Sequence, residues 1–290
     1  MMLISVILLS SVIFINAAPV DVFLTEVDEF YTDYDNTFEE ALYADVEFGE
    51  YFEGDMILSE TQHRAIEHAK IERNGLKGTT KRWPNRTIVY EIIEEDFDED
   101  QIKLIEEGMN DIANRSCLKF RSRENKEHAV IIQGSENGCY SNVGFKPKEK
   151  NNGEEEEHHQ VLNLAKGCFK HGTIVHEMLH TIGFYHMQST FDRDEFVTIV
   201  WENIKPGLEH NFAKYTVDTV TDFGVPYDYG SVMHYPEGAF SKNGNKTIIP
   251  LQDSVKIGQR VGLSEKDILK LNRMYCEETE TDSISYMLNV

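Results

Sequence analysis

Apolar residues are spaced along this chain in several distinct ways, and each spacing predicts a different element. Leu3 to Ile15 is an apolar run of 13 broken only by Ser5, Ser10 and Ser11, followed by the small residues Ala17 and Ala18. It is short for a bilayer span, and it predicts a signal peptide over residues 1–17. Alternation from Thr87 to Ile93 predicts a strand, and shorter apolar runs predict others at Leu118–Phe120, Ala129–Ile132 and Val161–Leu164. Ile102, Ile105, Met109 and Ile112 keep one face of a helix that Asp98 can cap. Ser59 with Gln62, and Ser264 with Asp267, have capping-box spacing. They predict a short helix over Thr61 to Ile71 and a last helix running towards Cys276.

Val20 to Tyr51 has no sustained period, because Asp33, Asp35, Glu39, Glu40 and Asp45 interrupt every apolar cluster. Such a piece cannot bury enough surface to fold alone, and it reads as an extended segment lying on something else. Strands and a helix come first, then mostly loops and one last helix. That order predicts an α+β fold of two unequal lobes with a cleft between them.

Charge sharpens this division. The chain of 290 residues carries a net charge of −23, which argues against nucleic acid as a partner. Residues 1–73 hold 16 Asp and Glu against 3 Lys and Arg, so the first quarter of the chain stands apart. No later segment is apolar enough to span a membrane. The four cysteines, Cys117, Cys139, Cys168 and Cys276, form an even set behind a signal peptide. They predict two disulfides with three connectivities open. Asn85, Asn114 and Asn245 begin glycosylation sequons.

The chemistry concentrates in His176-Glu177-Met178-Leu179-His180-Thr181-Ile182-Gly183-Phe184-Tyr185-His186. On a helix, His176 and His180 leave one face a turn apart and can close on a single Zn²⁺. Gly183 tolerates the positive φ that ends a helix, so the chain can return His186 as a third ligand. Three protein ligands leave a fourth position for water, as in catalytic rather than structural zinc sites. Glu177 is turned about a quarter of the way round from His176, where it can serve as a base without binding the metal. His158-His159, inside the charged loop of residues 146–160, reads as solvated surface.

The histidine pattern is the metzincin signature. With Phe184-Tyr185 inside it, Asp192-Arg193-Asp194 after it and Ser231-Val232-Met233-His234-Tyr235 further on, it resembles the astacin family of secreted zinc endopeptidases. The resemblance covers residues 52–276. It implies a metzincin-type catalytic domain over 74–276, with a mixed sheet and the zinc helix in the N-terminal lobe and an irregular C-terminal lobe. A propeptide over 18–73 precedes the domain and a short polar tail, 277–290, follows it. It also implies one Zn²⁺ per chain, protein or peptide substrates, an activating protease, a monomer and no membrane.

By the same resemblance, Asp55 of Phe52-Glu53-Gly54-Asp55 occupies the water position and keeps the precursor inactive. Maturation falls after Arg73, with the dibasic Lys81-Arg82 as the competing cut. Met233 forms the apolar base of the site, the Met-turn, and Tyr235 assists the oxyanion. Cys117 pairs with Cys276, and Cys139 with Cys168. His234 is structural.

Two positions depart from the family pattern. Met187 stands where a Glu normally receives the new N-terminus, and Thr190 where an Arg is common. They motivate an alternative, a secreted zinc-containing binding protein with weak or lost turnover. The intact Glu177 argues against that reading, and equally against a purely structural zinc domain.

Overall fold

A computed structural model describes residues 49–69, 81–146, 159–215 and 221–277. The predicted signal peptide, the cut at Arg73 and most of the acidic loop before His159 lie outside the described residues, as does the tail beyond Glu277. In chain order the first six strands are β1 (Met56–Ile57), β2 (Thr87–Ile92), β3 (Lys119–Ser122), β4 (Ala129–Gln133), β5 (Cys139–Asn142) and β6 (His159–Leu164). They form one sheet in the order β1-β5-β6-β4-β2-β3, in which only β5 and β6 run antiparallel.

The residues explain these positions. Ala129 to Ile132 of β4 are all buried, as a parallel strand covered on both faces requires. β5, Cys-Tyr-Ser-Asn, is also buried at all four positions, so it lacks the alternation by which a strand is read from sequence. β6 begins at His159, two residues before the apolar run that predicts it.

Four helices accompany the sheet: α1 (Glu60–Ala69), α2 (Glu99–Asn114), α3 (His171–Ile182) and α4 (Glu265–Tyr275). All of α1, α2 and α4 open on capping boxes. In α2, Asp98 Oδ1 accepts from the Gln101 N–H at 2.8 Å and Gln101 Oε1 accepts from the Asp98 N–H at 2.9 Å. Ile105, Met109 and Ile112 of α2 are buried against α3. Each such side chain contributes about 1.5–3 kcal/mol of burial. Every residue of α3 from Gly172 to Ile182 is buried, because α2 covers one side of the helix and β5 and β6 another. Among the described residues, no helix is long and apolar enough to cross a membrane.

After His186 the chain becomes irregular. Short 3₁₀ turns alternate with a two-stranded antiparallel sheet of β7 (Val197–Ile199) and β8 (Ile248–Pro250) before α4. Two disulfides hold this part and the sheet edge in place. Cys117–Cys276 ties the end of α4 to the segment after α2, and Cys139–Cys168 ties β5 to the loop before α3. Trp83 fastens the start of this domain to the end of α3, its indole N–H donating to the Thr181 carbonyl at 2.8 Å.

Candidate metal centre

The centre is built on α3. His176 and His180, one turn apart, bring their Nε2 atoms to 3.1 Å. Gly183 then ends the helix with φ +122°, and its N–H donates back to the carbonyls of Leu179 and His180. A side chain at that φ would be strained, so glycine is what lets the chain reverse there. The reversal places His186 Nε2 at 3.3 Å from His176 Nε2. Two ligands at about 2.0–2.1 Å from a tetrahedral ion lie about 3.3–3.4 Å apart, so the three nitrogens fit zinc.

The outer nitrogens fix the tautomers. His176 Nδ1 lies 2.8 Å from the Val232 carbonyl, His180 Nδ1 2.8 Å from the Phe184 carbonyl and His186 Nδ1 2.9 Å from Glu53 Oε2. Those carbonyls can only accept, and so does the Glu53 carboxylate, so each Nδ1 carries a proton and all three Nε2 atoms face inward. The rings are almost completely shielded from solvent.

Asp55 takes the fourth corner. Its Oδ2 lies 3.2 Å from the Nε2 of both His176 and His186, and its Oδ1 lies 3.4 Å from that of His180. It arrives there because β1 pairs with the sheet edge, with the Ser141 N–H donating to the Asp55 carbonyl at 2.9 Å. The preceding turn is tight: Gly54 has φ +90° and Glu53, unusually for a non-glycine, +48°. α1 anchors the segment further. Met56, Leu58 and Ile66 pack with Val143 and Tyr215, and Gln62 Nε2 donates to the Val143 carbonyl at 3.1 Å.

The electrostatics follow from burial and from these acids. Burial lowers His176 to about 4, so it stays neutral. Burial also acts to lower His186, yet the Asp55 and Glu53 carboxylates outweigh it and raise the ring to about 9. Burial would raise Asp55, but the His186 and His180 rings hold its carboxyl well below the usual range.

Glu177 is fully buried on α3 beside the first ligand. Tyr235 is equally buried, with its ring centroid 4.6 Å from that of His186, and its phenol donates to the Glu53 main-chain carbonyl. Met233 lies in the core, and its carbonyl accepts the Met187 N–H at 2.9 Å. His234 Nδ1 donates to the Tyr235 carbonyl and its Nε2 accepts from the Tyr227 hydroxyl, while burial lowers it to about 4. Those bonds give it a structural place.

Met187 is buried with its sulfur 3.1 Å from the Lys270 ammonium, and the Thr190 hydroxyl donates to the Met187 carbonyl. Asn85, Asn114 and Asn245 are all exposed, as glycan attachment needs. Among the described residues, Asp55, His176, His180 and His186 are the one group of His, Cys, Asp and Glu placed to hold a metal. His159 is exposed at the start of β6.

Two participants escaped the reading of the sequence. Glu53 is one acid in an acidic stretch, and its alternation with Asp55 across Gly54 is the signal that points to it. Asp267 reads as a cap for α4, yet it also accepts from the Ser231 hydroxyl at 2.6 Å and the Val232 N–H at 2.9 Å.

Known proteins resemble this chain. The family model for Astacin, a peptidase family, matches residues 75–276. Zinc metalloproteinase nas-4 of Caenorhabditis elegans is 37% identical over 233 residues, covering 80% of this chain and 70% of that protein. The chain spans 50% of nas-13 from the same organism, also at 37% identity. Seminal metalloprotease 1 of Drosophila melanogaster is 36% identical over 81% of this chain and 94% of its own length. Among solved structures, high choriolytic enzyme 1, a hatching enzyme zinc-protease from the medaka Oryzias latipes, superposes with a TM-score of 0.59 at 36% identity. That match covers 68% of this chain and 93% of the fish protein.

Proposed function

The chain belongs to the astacin family of zinc metallopeptidases, and from that premise we propose a secreted endopeptidase made as a zymogen and latched by Asp55. The observation that carries this reading is the Asp55 carboxylate at the fourth corner of the three-histidine site. Three histidines with a carboxylate from a separable segment at the fourth corner suit a site that opens to water when that segment leaves. Cleavage after Arg73 by an activating protease would free the segment that carries Asp55. The signal-like run and the two disulfides support an extracellular setting.

His176, His180 and His186 hold zinc, which when bound supplies Lewis acidity that polarises a peptide carbonyl and acidifies water. Glu177 takes the proton of the attacking water on its carboxylate and returns it to the leaving amine. Tyr235 donates to Glu53 in the latched chain, and removal of the segment turns that phenol towards the oxyanion. The β5 edge, covered by β1 before processing, becomes available to pair with an extended peptide substrate.

Casein cleavage by protein processed at Arg73, with and without a chelator and beside Glu177→Ala, tests the enzyme. Activity that both treatments remove supports the reading. Unprocessed Asp55→Ala tests the latch and is expected to cleave casein where the unprocessed wild type does not. The second reading, a zinc-holding binding protein, rests on Met187 packing against Lys270 where the family places a Glu. Processed protein that holds one zinc and cleaves nothing would favour it.

A further inference from the structure

Glu53 is fully buried, and its backbone φ of +48° is one that non-glycine residues seldom adopt. Such outliers persist where the surroundings demand them, so the question is what this one delivers. It delivers two contacts at once. The side chain accepts the Nδ1–H of His186, and the main-chain carbonyl accepts the Tyr235 phenol. A buried carboxylate is costly unless it is well partnered, and the N–H of a metal-binding imidazole is a strong partner. Carboxylates in this position fix the ring and strengthen its other nitrogen as a ligand.

The three ligands differ in who supplies that outer partner. His176 donates to Val232 and His180 to Phe184, both within residues 74–276 and therefore kept after a cut at Arg73. His186 donates to Glu53, which leaves with the segment. Processing would thus remove two things from the metal site together: the Asp55 ligand and the carboxylate behind His186.

We propose that Glu53 is a positioning residue for metal retention, orienting His186 and strengthening it as a ligand only in the unprocessed chain, so that zinc is held most firmly before cleavage. This rests on the latch reading above, and the two can fail separately.

The test uses full-length, unprocessed wild type, Glu53→Ala, Glu53→Gln and Asp55→Ala, each loaded with zinc. Zinc release to excess pyridylazoresorcinol is followed by absorbance, and the cobalt-substituted proteins are compared by their visible spectra. Loss of an outer carboxylate commonly weakens metal binding about 10–100-fold. Glu53→Ala is therefore expected to release zinc about 10–100-fold faster than the wild-type precursor. Glu53→Gln, whose amide oxygen still accepts the Nδ1–H, is expected to fall between them with a shifted cobalt spectrum.

Once the segment has been cut at Arg73 and removed, the wild type and both Glu53 variants leave the same polypeptide. They must then release zinc at one common rate, faster than the wild-type precursor. Should Glu53→Ala also lose latency through detachment of the segment, Glu53→Gln decides. Faster release from a latent Glu53→Gln precursor supports the proposal, and release at the wild-type rate overturns it. Equal release from the wild-type and Glu53→Ala precursors overturns it as well. An Asp55→Ala precursor that stays latent and keeps zinc like the wild type would instead sink the latch reading.

Discussion

Asp267 offers the sharpest test of how the second half of the chain supports the metal centre. Its carboxylate is buried at the start of α4 and accepts from the Ser231 hydroxyl at 2.6 Å, the Val232 N–H at 2.9 Å and the Ser264 N–H at 3.1 Å. The carbonyl of Val232 in turn accepts the His176 Nδ1–H. One side chain therefore joins a helix cap, the turn before Met233 and the tautomer of the first ligand. In Asp267→Ala, the Ser231 hydroxyl and the Val232 N–H lose their acceptor inside the protein. Each orphaned group costs about 1–3 kcal/mol, and loss of a cap about 1 kcal/mol more. The expected destabilisation is about 3–7 kcal/mol, a large part of the roughly 5–15 kcal/mol that holds a typical domain folded. Asp267→Asn keeps the shape but can turn an NH₂ group towards N–H donors, and should lose about half as much. Urea unfolding of zinc-stripped protein measures this without metal linkage. At roughly 2 kcal/mol per M, the Ala variant should unfold about 1.5–3.5 M earlier. Zinc release should quicken in both variants. A midpoint shift under about 0.5 M, or unchanged zinc release, would refute the coupling.

Other expectations are briefer. Tyr235→Phe in the processed enzyme should lower kcat about 10²–10³-fold with little change in KM, as loss of an oxyanion donor does; steady-state peptide hydrolysis checks it. Gly183→Ala forces a methyl group onto a residue at φ +122° and displaces the return of His186. It should cost about 1–3 kcal/mol in unfolding experiments and lower zinc content by elemental analysis. Replacing Cys117 and Cys276 together by Ser should destabilise more than replacing Cys139 and Cys168. The sequence separations are 159 and 29, worth about 5 and 3.5 kcal/mol in the chain-entropy account, and thermal melts of the two double variants would rank them.

The parts legible in the sequence were those written within a few residues. The spacing of His176, His180 and His186 encodes a helix, a turn and a third ligand, and the boxes at Ser59 and Ser264 encode helix starts within one turn. What escaped was set by distant neighbours. β5 has no period because both of its faces are covered, and nothing within Cys-Tyr-Ser-Asn records that. The contact of Met187 with Lys270 joins residues 83 apart. Asp267 shows the limit within a single residue: its capping bond to Ser264 is local and readable, while its bonds to Ser231 and Val232 depend on how the chain returns. Glu53 needed the reverse, a local strain at positive φ that only the folded metal centre explains.

The disulfides carry a consequence for the timing of activation. All four cysteines lie at or beyond Cys117, so no covalent link other than the backbone joins Asp55 to the histidines. While that backbone is whole, the carboxylate behaves as a ligand at an effective concentration on the millimolar scale. On the proposed latch, a single cut at Arg73 would make the segment an ordinary inhibitor at the protein's own concentration. Dilution would then drive release forward, and the switch would run one way without further work by the activating protease.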